Sequence, residues 1–390
     1  MIRSAVGPFP TTALELAVVG LVVGWVVASR KKGMQEAWEA VRSWRVVMAL
    51  WLCAGAGGVI TAWAQGFEVL PALGLFRAYF VEPLLVFVVG CHVVRTVDHR
   101  IRLFRSFGIV ACALAVWAMV QYATGWGIPH PWGAWPGRRA TGPFPFPNAL
   151  GLFLAPIAAF AVARLIAKPT LQEGESRWKR ERVFAGVVFV MALIGTTLAA
   201  SDGGLVAIAA AAGVALLMRP QTRRYALAAG VMGVAIFLLS GSGGPFYATH
   251  HRIRDMLLFQ EWSGKVRTVI WKETVTLLQD HPVFGAGLAA YPAAIVPYHT
   301  ATWMEIFQYP HNIVLNLWSE TGVLGLGAFI AIILFWIRMA ERQEIVIPVV
   351  LAILIHGLVD VPYFKNDLAI AFWLLVLLTT VSERSREDAR

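Results

Sequence analysis

Between Trp262 and Gly325 the chain gathers side chains that can handle charge and protons: Arg267, Asp280, His281, His299 and His311. Elsewhere it is mostly apolar. A planar guanidinium such as that of Arg267 can grip a diphosphate by paired hydrogen bonds. Arg267, Trp271, Val275 and Leu278 recur at i, i+4, i+8 and i+11, which predicts an amphipathic helix over 265–279 with these residues on one face. Lying along a membrane surface, that helix would hold Arg267 at headgroup depth; the plainer alternative is a snorkelling surface arginine. His311 stands between Pro310 and Asn312, where a long apolar run begins. His311 or Asn312 is expected to cap that helix, whose unpaired N–H groups and positive dipole end favour an anion. A histidine there can act as a general base, donate to a phosphate oxygen, or serve only as a cap. Asp280 closes the amphipathic stretch and can cap a turn or orient a hydroxyl. Pro282, Gly285 and Gly287 then make a close turn.

Two further groups qualify. Arg138 and Arg139 lie in GRRATGPFPFPN (137–148), where an anion such as a lipid phosphate, or simple headgroup contact, would explain them. Arg77, Glu82 and Asp360 fall within or near apolar runs. Ionisable groups there are costly and face a bundle interior or cavity, so these three are expected as intramembrane support. Arg77 and Glu82 are five apart, a poor spacing for pairing on one straight helix, so each is expected to pair with another helix.

The frame that must position these residues is set by composition. Of 390 residues, 58% are hydrophobic and 14% charged, with mean hydropathy +0.65. Apolar runs long enough to cross a bilayer recur throughout. Lipid leaves no partner for an open backbone polar group, so helices are required, and no barrel-type alternation is present. The prediction is an all-α polytopic membrane protein of one integral domain, 1–390, with about eleven (10–12) transmembrane helices. They fall near 10–29, 46–64, 73–94, 106–124, 148–166, 183–200, 204–218, 226–241, 312–337, 345–361 and 368–382. Membrane lipids are its surroundings, and the net charge of +10 reads as topology, not as affinity for nucleic acid. About two thirds of the Lys and Arg fall in six connections that are therefore expected inside, with the N-terminus outside and the C-terminus cytoplasmic. The two long connections, 125–147 (aromatic and Pro-rich) and 242–310, are then outer segments, and the second is expected to carry the chemistry. The three cysteines suggest core packing and no disulfide framework. Walker, Rossmann, HExxH and GxSxG motifs are absent, as is an Asp-x-Asp pair to hold a metal with a sugar nucleotide.

Three stretches together resemble the bacterial O-antigen ligase and O-antigen polymerase superfamily: RRATGPFPFPNALGLFLAP (138–156), VRTVIWKETVTLLQDHPVFGAGLAAY (266–291) and YPHNIVLNLWSETGVLGLGAFI (309–330). HGLVDVPYFKND (356–367) and RAYFVEPLL (77–85) add weaker likeness. The resemblance implies a GT-C-type helical fold in the bacterial inner membrane. It implies an undecaprenyl-diphosphate-linked glycan as donor and a glycolipid or glycan as acceptor. Transfer would proceed with inversion on the periplasmic side, without metal or cofactor. It gives Arg267 the lipid diphosphate and His311 the acceptor hydroxyl or the leaving diphosphate. Arg138, Arg139, Asn312, Asp280 and Trp271 are expected around them. Many members carry a Ser-Arg pair at an outer mid-chain turn. Here that turn reads Ala200-Ser201-Asp202-Gly203-Gly204, so Arg139 or Arg138 is expected to supply the second positive group. A ligase and a polymerase share the donor chemistry. A secondary transporter or lipid-linked glycan flippase is the rival from another class; it would place charge at the midplane of symmetric halves.

Overall fold

The computed structural model describes residues 3–6, 9–169, 174–239 and 247–380. After a short antiparallel pair, β1 (Arg3–Val6) and β2 (Phe9–Thr12), every long element is helical: α1 (Ala13–Ala40), α2 (Arg45–Ala64), α3 (Val69–Phe76), α4 (Glu82–Val93), α5 (Val97–Thr124), α6 (Pro147–Ile166), α7 (Glu175–Leu198), α8 (Asp202–Leu217), α9 (Pro220–Leu239), α10 (Tyr247–Leu257), α11 (Trp262–Asp280), the single turn α12 (Tyr291–Ala294), α13 (Ile313–Met339), α14 (Gln343–Gly357) and α15 (Asn366–Thr379). Each of the eleven predicted spans coincides with a helix, or with α3 and α4 joined by one turn. Among the described residues, seven helical stretches are long and apolar enough to cross a membrane, and α8, α14 and α15 are shorter apolar helices. The predicted inner tail at 381–390 and the first residues of the 242–310 segment lie outside the described residues.

The sequence of α6, NALGLFLAPIAAFAVARLI, explains its place. Small residues let neighbouring helices approach closely, and it is buried along almost its whole length, packed against α7, α8 and α14. A second group forms where α2 packs on α13, α1 on α4, and α4 on α15. Trp44, Trp51, Trp336, Trp373 and Tyr363 fill its centre. The cysteines are free, and Cys53 is exposed instead of packed in the core.

Two departures from straight helices matter. One π-turn spans Arg77–Val81, with the Glu82 N–H donating to the Arg77 carbonyl. The extra residue brings positions five apart onto one face. Arg77 therefore pairs with Glu82 at 3.1 Å as well as with Glu15 of α1 at 2.8 Å. The expectation that Arg77 and Glu82 each look only to another helix is corrected on that point.

The second departure is at Gly322, where α13 breaks (φ 67°). A strap from the 242–310 segment fills the break. Ala286 and Gly287 donate to the Ser319 carbonyl (2.7 and 3.1 Å), Val323 donates to Val283 (2.9 Å), and Leu288 donates to Gly58 of α2 (2.9 Å). These bonds replace those α13 loses, which is the condition for irregular backbone within a membrane bundle. Gly285 and Gly287 have positive φ, and a Cβ on either would collide with the backbone of α13 or α2. The 242–310 segment is thus not a surface loop throughout: Ala286, Leu288 and Tyr291 are buried.

Candidate active site

α11 turns through 262–280 with Ile270, Glu273, Thr274, Leu277 and Leu278 buried. The predicted stripe needs one correction, since Val275 faces outward (45% exposed). The buried face is rotated because Glu273 belongs to it. Its carboxylate accepts from the Thr300 N–H (2.8 Å) and hydroxyl (3.0 Å) and pairs with His299 Nδ1 (3.1 Å). Burial alone would raise the Glu273 pKa; these bonds more than offset it and hold it low. Glu273 and His299 therefore fix the loop after the strap.

Arg267 and Trp271, one turn apart, reach the same neighbourhood. Arg267 Nε donates to the Val359 carbonyl (2.8 Å) and Trp271 Nε1 to the Pro310 carbonyl (3.0 Å). The residues that follow these carbonyls, Asp360 and His311, meet directly: His311 Nδ1 lies 3.3 Å from Asp360 Oδ1. His311 adopts φ 49°, a left-handed conformation rare outside glycine, and its ring stands edge-on to Phe307 and Tyr309. The strain is held by Trp271 behind it and Asn312 ahead. Asn312 caps α13, accepting from Val314 and Leu315, and donates to the Leu358 carbonyl.

Asp360 was expected as intramembrane support. It lies past the end of α14, in the 358–365 connection, and is 1% exposed. Its carboxylate also accepts from the Val361 N–H (2.9 Å) and from Asn148 Nδ2 (3.2 Å). Burial would raise its pKa, but the His311 hydrogen bond, with the charges of His311 and Lys365, holds it well below the usual carboxylate range. The carboxylate stays ionised, so it fixes the proton on His311 Nδ1 and leaves Nε2 as the acceptor nitrogen.

Asn148, at the start of α6, links this pair to Arg139: its Oδ1 accepts from Arg139 Nη2 (2.8 Å). Arg139 also donates to the Ala199 and Ala200 carbonyls (2.9 and 3.0 Å) and lies over the Trp132 ring. It therefore reaches the turn that leads into α8. Asp202 occupies the first turn of α8, where the helix dipole favours an acid. Burial presses the Arg139 pKa down, Asp202 opposes this, and nearby Arg267 adds to it.

Arg138 is turned elsewhere, donating to the Tyr122 and Ala123 carbonyls at the end of α5 and to the Gly133 carbonyl in its own loop. Asp280 accepts from the Tyr298 hydroxyl (2.6 Å), and Arg77 with Glu82 faces Glu15. The structure thus gathers Arg267, Arg139, Trp271, Asn312, His311 and Asp360, while Arg138 and Asp280 serve loop geometry. Sequence reasoning missed Asn148, Glu15 and, on α13, Asn316 and Glu320. The last two are polar at i and i+4 inside an apolar run, a signal that was present.

A family model described as O-antigen ligase matches residues 187–330, a range that includes Arg267, Trp271 and His311. A curated protein of Rickettsia conorii, provisionally named polysaccharide ligase, is 26% identical over 121 residues, covering 28% of this chain and 29% of that protein. The likeness therefore spans less than a third of the relative's length. The segment that carries Arg267 and His311, set in a polytopic helical membrane fold, is thus similar to the O-antigen ligase family.

Proposed function

We propose that the chain is a glycosyltransferase of polysaccharide-ligase type, moving a glycan from undecaprenyl diphosphate to an acceptor hydroxyl at the outer face of the bacterial cytoplasmic membrane. The observation that carries this is the convergence of Arg267, Arg139 and His311, hydrogen-bonded to Asp360, on one spot. Arg267 presents two terminal nitrogens that no described residue engages, and with Arg139 it would hold the diphosphate. The 125–147 and 242–310 segments form the outer catalytic face, and the C-terminus is cytoplasmic. The acceptor oxygen forms a bond to the anomeric carbon as the bond from that carbon to the diphosphate oxygen breaks, with inversion. The acceptor's proton goes to His311 Nε2, and the electron pair leaves on the diphosphate, where Arg267 and Arg139 stabilise the charge. Asp360 steadies the imidazolium that results. No step requires a metal or cofactor. Asn312 and Trp271 position His311, while Arg138 and Asp280 shape the loops.

The acceptor is lipid A–core or a similar glycolipid; a polymerase would use another lipid-linked repeat unit. The test is glycan transfer in detergent from a lipid-diphosphate donor to candidate acceptors, comparing wild type with Arg267→Ala and His311→Ala. Removing one such group lowers the rate by about 10²–10³-fold. Undiminished transfer by both variants would overturn the site, and a donor that is never consumed would favour the flippase. A product of single addition marks a ligase, and a ladder marks a polymerase.

A further inference from the structure

Beside the His311 cluster lies a cavity of about 570 Å³ that the transfer chemistry has not used. That size falls in the range of small-molecule sites, ~300–1,000 Å³. Tyr309 forms part of its wall and stands 4.9 Å from the His311 ring. The 358–365 connection, which gives Val359 to Arg267 and Asp360 to His311, continues into another part of the wall at Phe364 and Lys365. The cavity and the proposed diphosphate site are therefore linked through Tyr309 and this connection.

The lining is built for hydroxyl groups. Asn316 lines the cavity, is 1% exposed, and its amide nitrogen has no partner. Lys365 Nζ and both Asp367 carboxylate oxygens are likewise buried without hydrogen bonds, Lys365 lying over the Phe146 ring. Buried polar atoms are almost always hydrogen-bonded, so a wall of fixed, unsatisfied donors and acceptors is set to meet a polar ligand. Phe144, Phe146 and Phe364 add apolar surface between them. Carboxyl groups outnumber cationic side chains in the wall: Glu15, Glu68, Glu320 and Asp367 against Arg77 and Lys365. Carboxylates accept from hydroxyls and amines and repel anions.

We infer that this cavity is the acceptor-saccharide subsite of the proposed transfer, and that it takes neutral or amine-bearing sugars and refuses carboxylated or phosphorylated ones. The acceptor role rests on the transfer reading; the sugar selectivity does not, and the two are tested separately. Gly74 lines the cavity, and a Cβ placed there meets nothing within 4 Å, so Gly74→Phe is the variant chosen to fill the space and Gly74→Ala is its control.

The first experiment is saturation-transfer NMR on the full-length chain in detergent with methyl glucoside, glucosamine, glucuronate and glucose 6-phosphate. Methyl glucoside and glucosamine should bind at least tenfold more tightly than the two acids. Gly74→Phe and Asn316→Leu should lose at least tenfold, with undecaprenyl diphosphate still bound and the thermal midpoint kept. Should Gly74→Phe fail to fold, Asn316→Leu decides alone. Equal binding of the acidic sugars, or sugar binding unchanged in both variants, overturns the selectivity. In the transfer assay Gly74→Phe should raise the acceptor KM at least tenfold with the donor KM unchanged; an unchanged acceptor KM overturns the subsite. Sugar selectivity without any transfer would count against the transfer reading alone.

Discussion

The two ends of the helix bundle treat charge differently. At the end where α5, α7 and α14 begin, arginines sit against acids: Arg100 with Glu341, Arg105 with Glu181, Arg177 with Asp98 and Arg342 with Glu344. The Arg105 and Arg177 pairs tie α5 to α7, the Arg100 pair ties α5 to the connection before α14, and the Arg342 pair closes the start of α14. At the other end, Arg267 keeps two uncommitted nitrogens, and Asn316, Lys365 and Asp367 bury polar atoms without hydrogen-bond partners. Among the pairs there, His311 with Asp360 couples a proton carrier to a fixed acid. Matched charge is what a scaffold needs. Unmatched charge lowers stability and persists where something else is to be met.

The comparison can be broken or sharpened by substitution. Asp360→Asn keeps the shape of the pair but removes the charge that sets the His311 tautomer. Transfer should fall by about 10²-fold, with a changed pH–rate profile and donor binding kept; a profile identical to wild type would reduce Asp360 to a packing residue.

Gly322→Ala attacks the scaffold itself. The positive φ and the collision of a Cβ with the Val283 carbonyl should cost about 2–3 kcal/mol, read as a lower thermal midpoint in detergent.

Lys365 gives a pH test. Burial pulls its pKa from 10.5 down to about 8, against the pull of Asp360 and Asp367. Between those values the unfolded chain holds a proton that the folded chain has released, so stability rises with pH across that window, by up to about 3 kcal/mol. Lys365→Met should lack that rise. Equal rises in both proteins would mean the Lys365 ammonium is solvated.

The smallest effect belongs to the paired end. Asp98→Asn removes half of an exposed pair and should change stability by less than about 0.5 kcal/mol and transfer less than twofold.

Hydropathy carried most of the fold, because a bilayer demands length and apolarity that few other contexts explain. The break in α13 was not readable: Gly322 sits in TGVLGLG, which in a membrane helix signals close packing as readily as a bend. The π-turn at Arg77–Val81 left no compositional mark either. Within the site, Arg267 and His311 stood out by type and place, but their partners lie far along the chain. Asp360 follows His311 by 49 residues, and the hydrogen bond between them cannot be inferred from either neighbourhood. Arg138 and Arg139 are adjacent and chemically identical; only backbone direction in the loop sends one to α5 carbonyls and the other to Asn148.

The strap in the break of α13 also bears on how the protein is made. Its partners straddle it in the chain: Gly58 of α2 is synthesised before it and Ser319 of α13 after it. Until α13 emerges, the N–H groups of Ala286 and Gly287 have no acceptor, and lipid would leave them bare. The strap must therefore wait in water and enter together with α13. A chain interrupted between residues 290 and 313 would keep an unfinished edge, with the Ala286 and Gly287 donors unpaired.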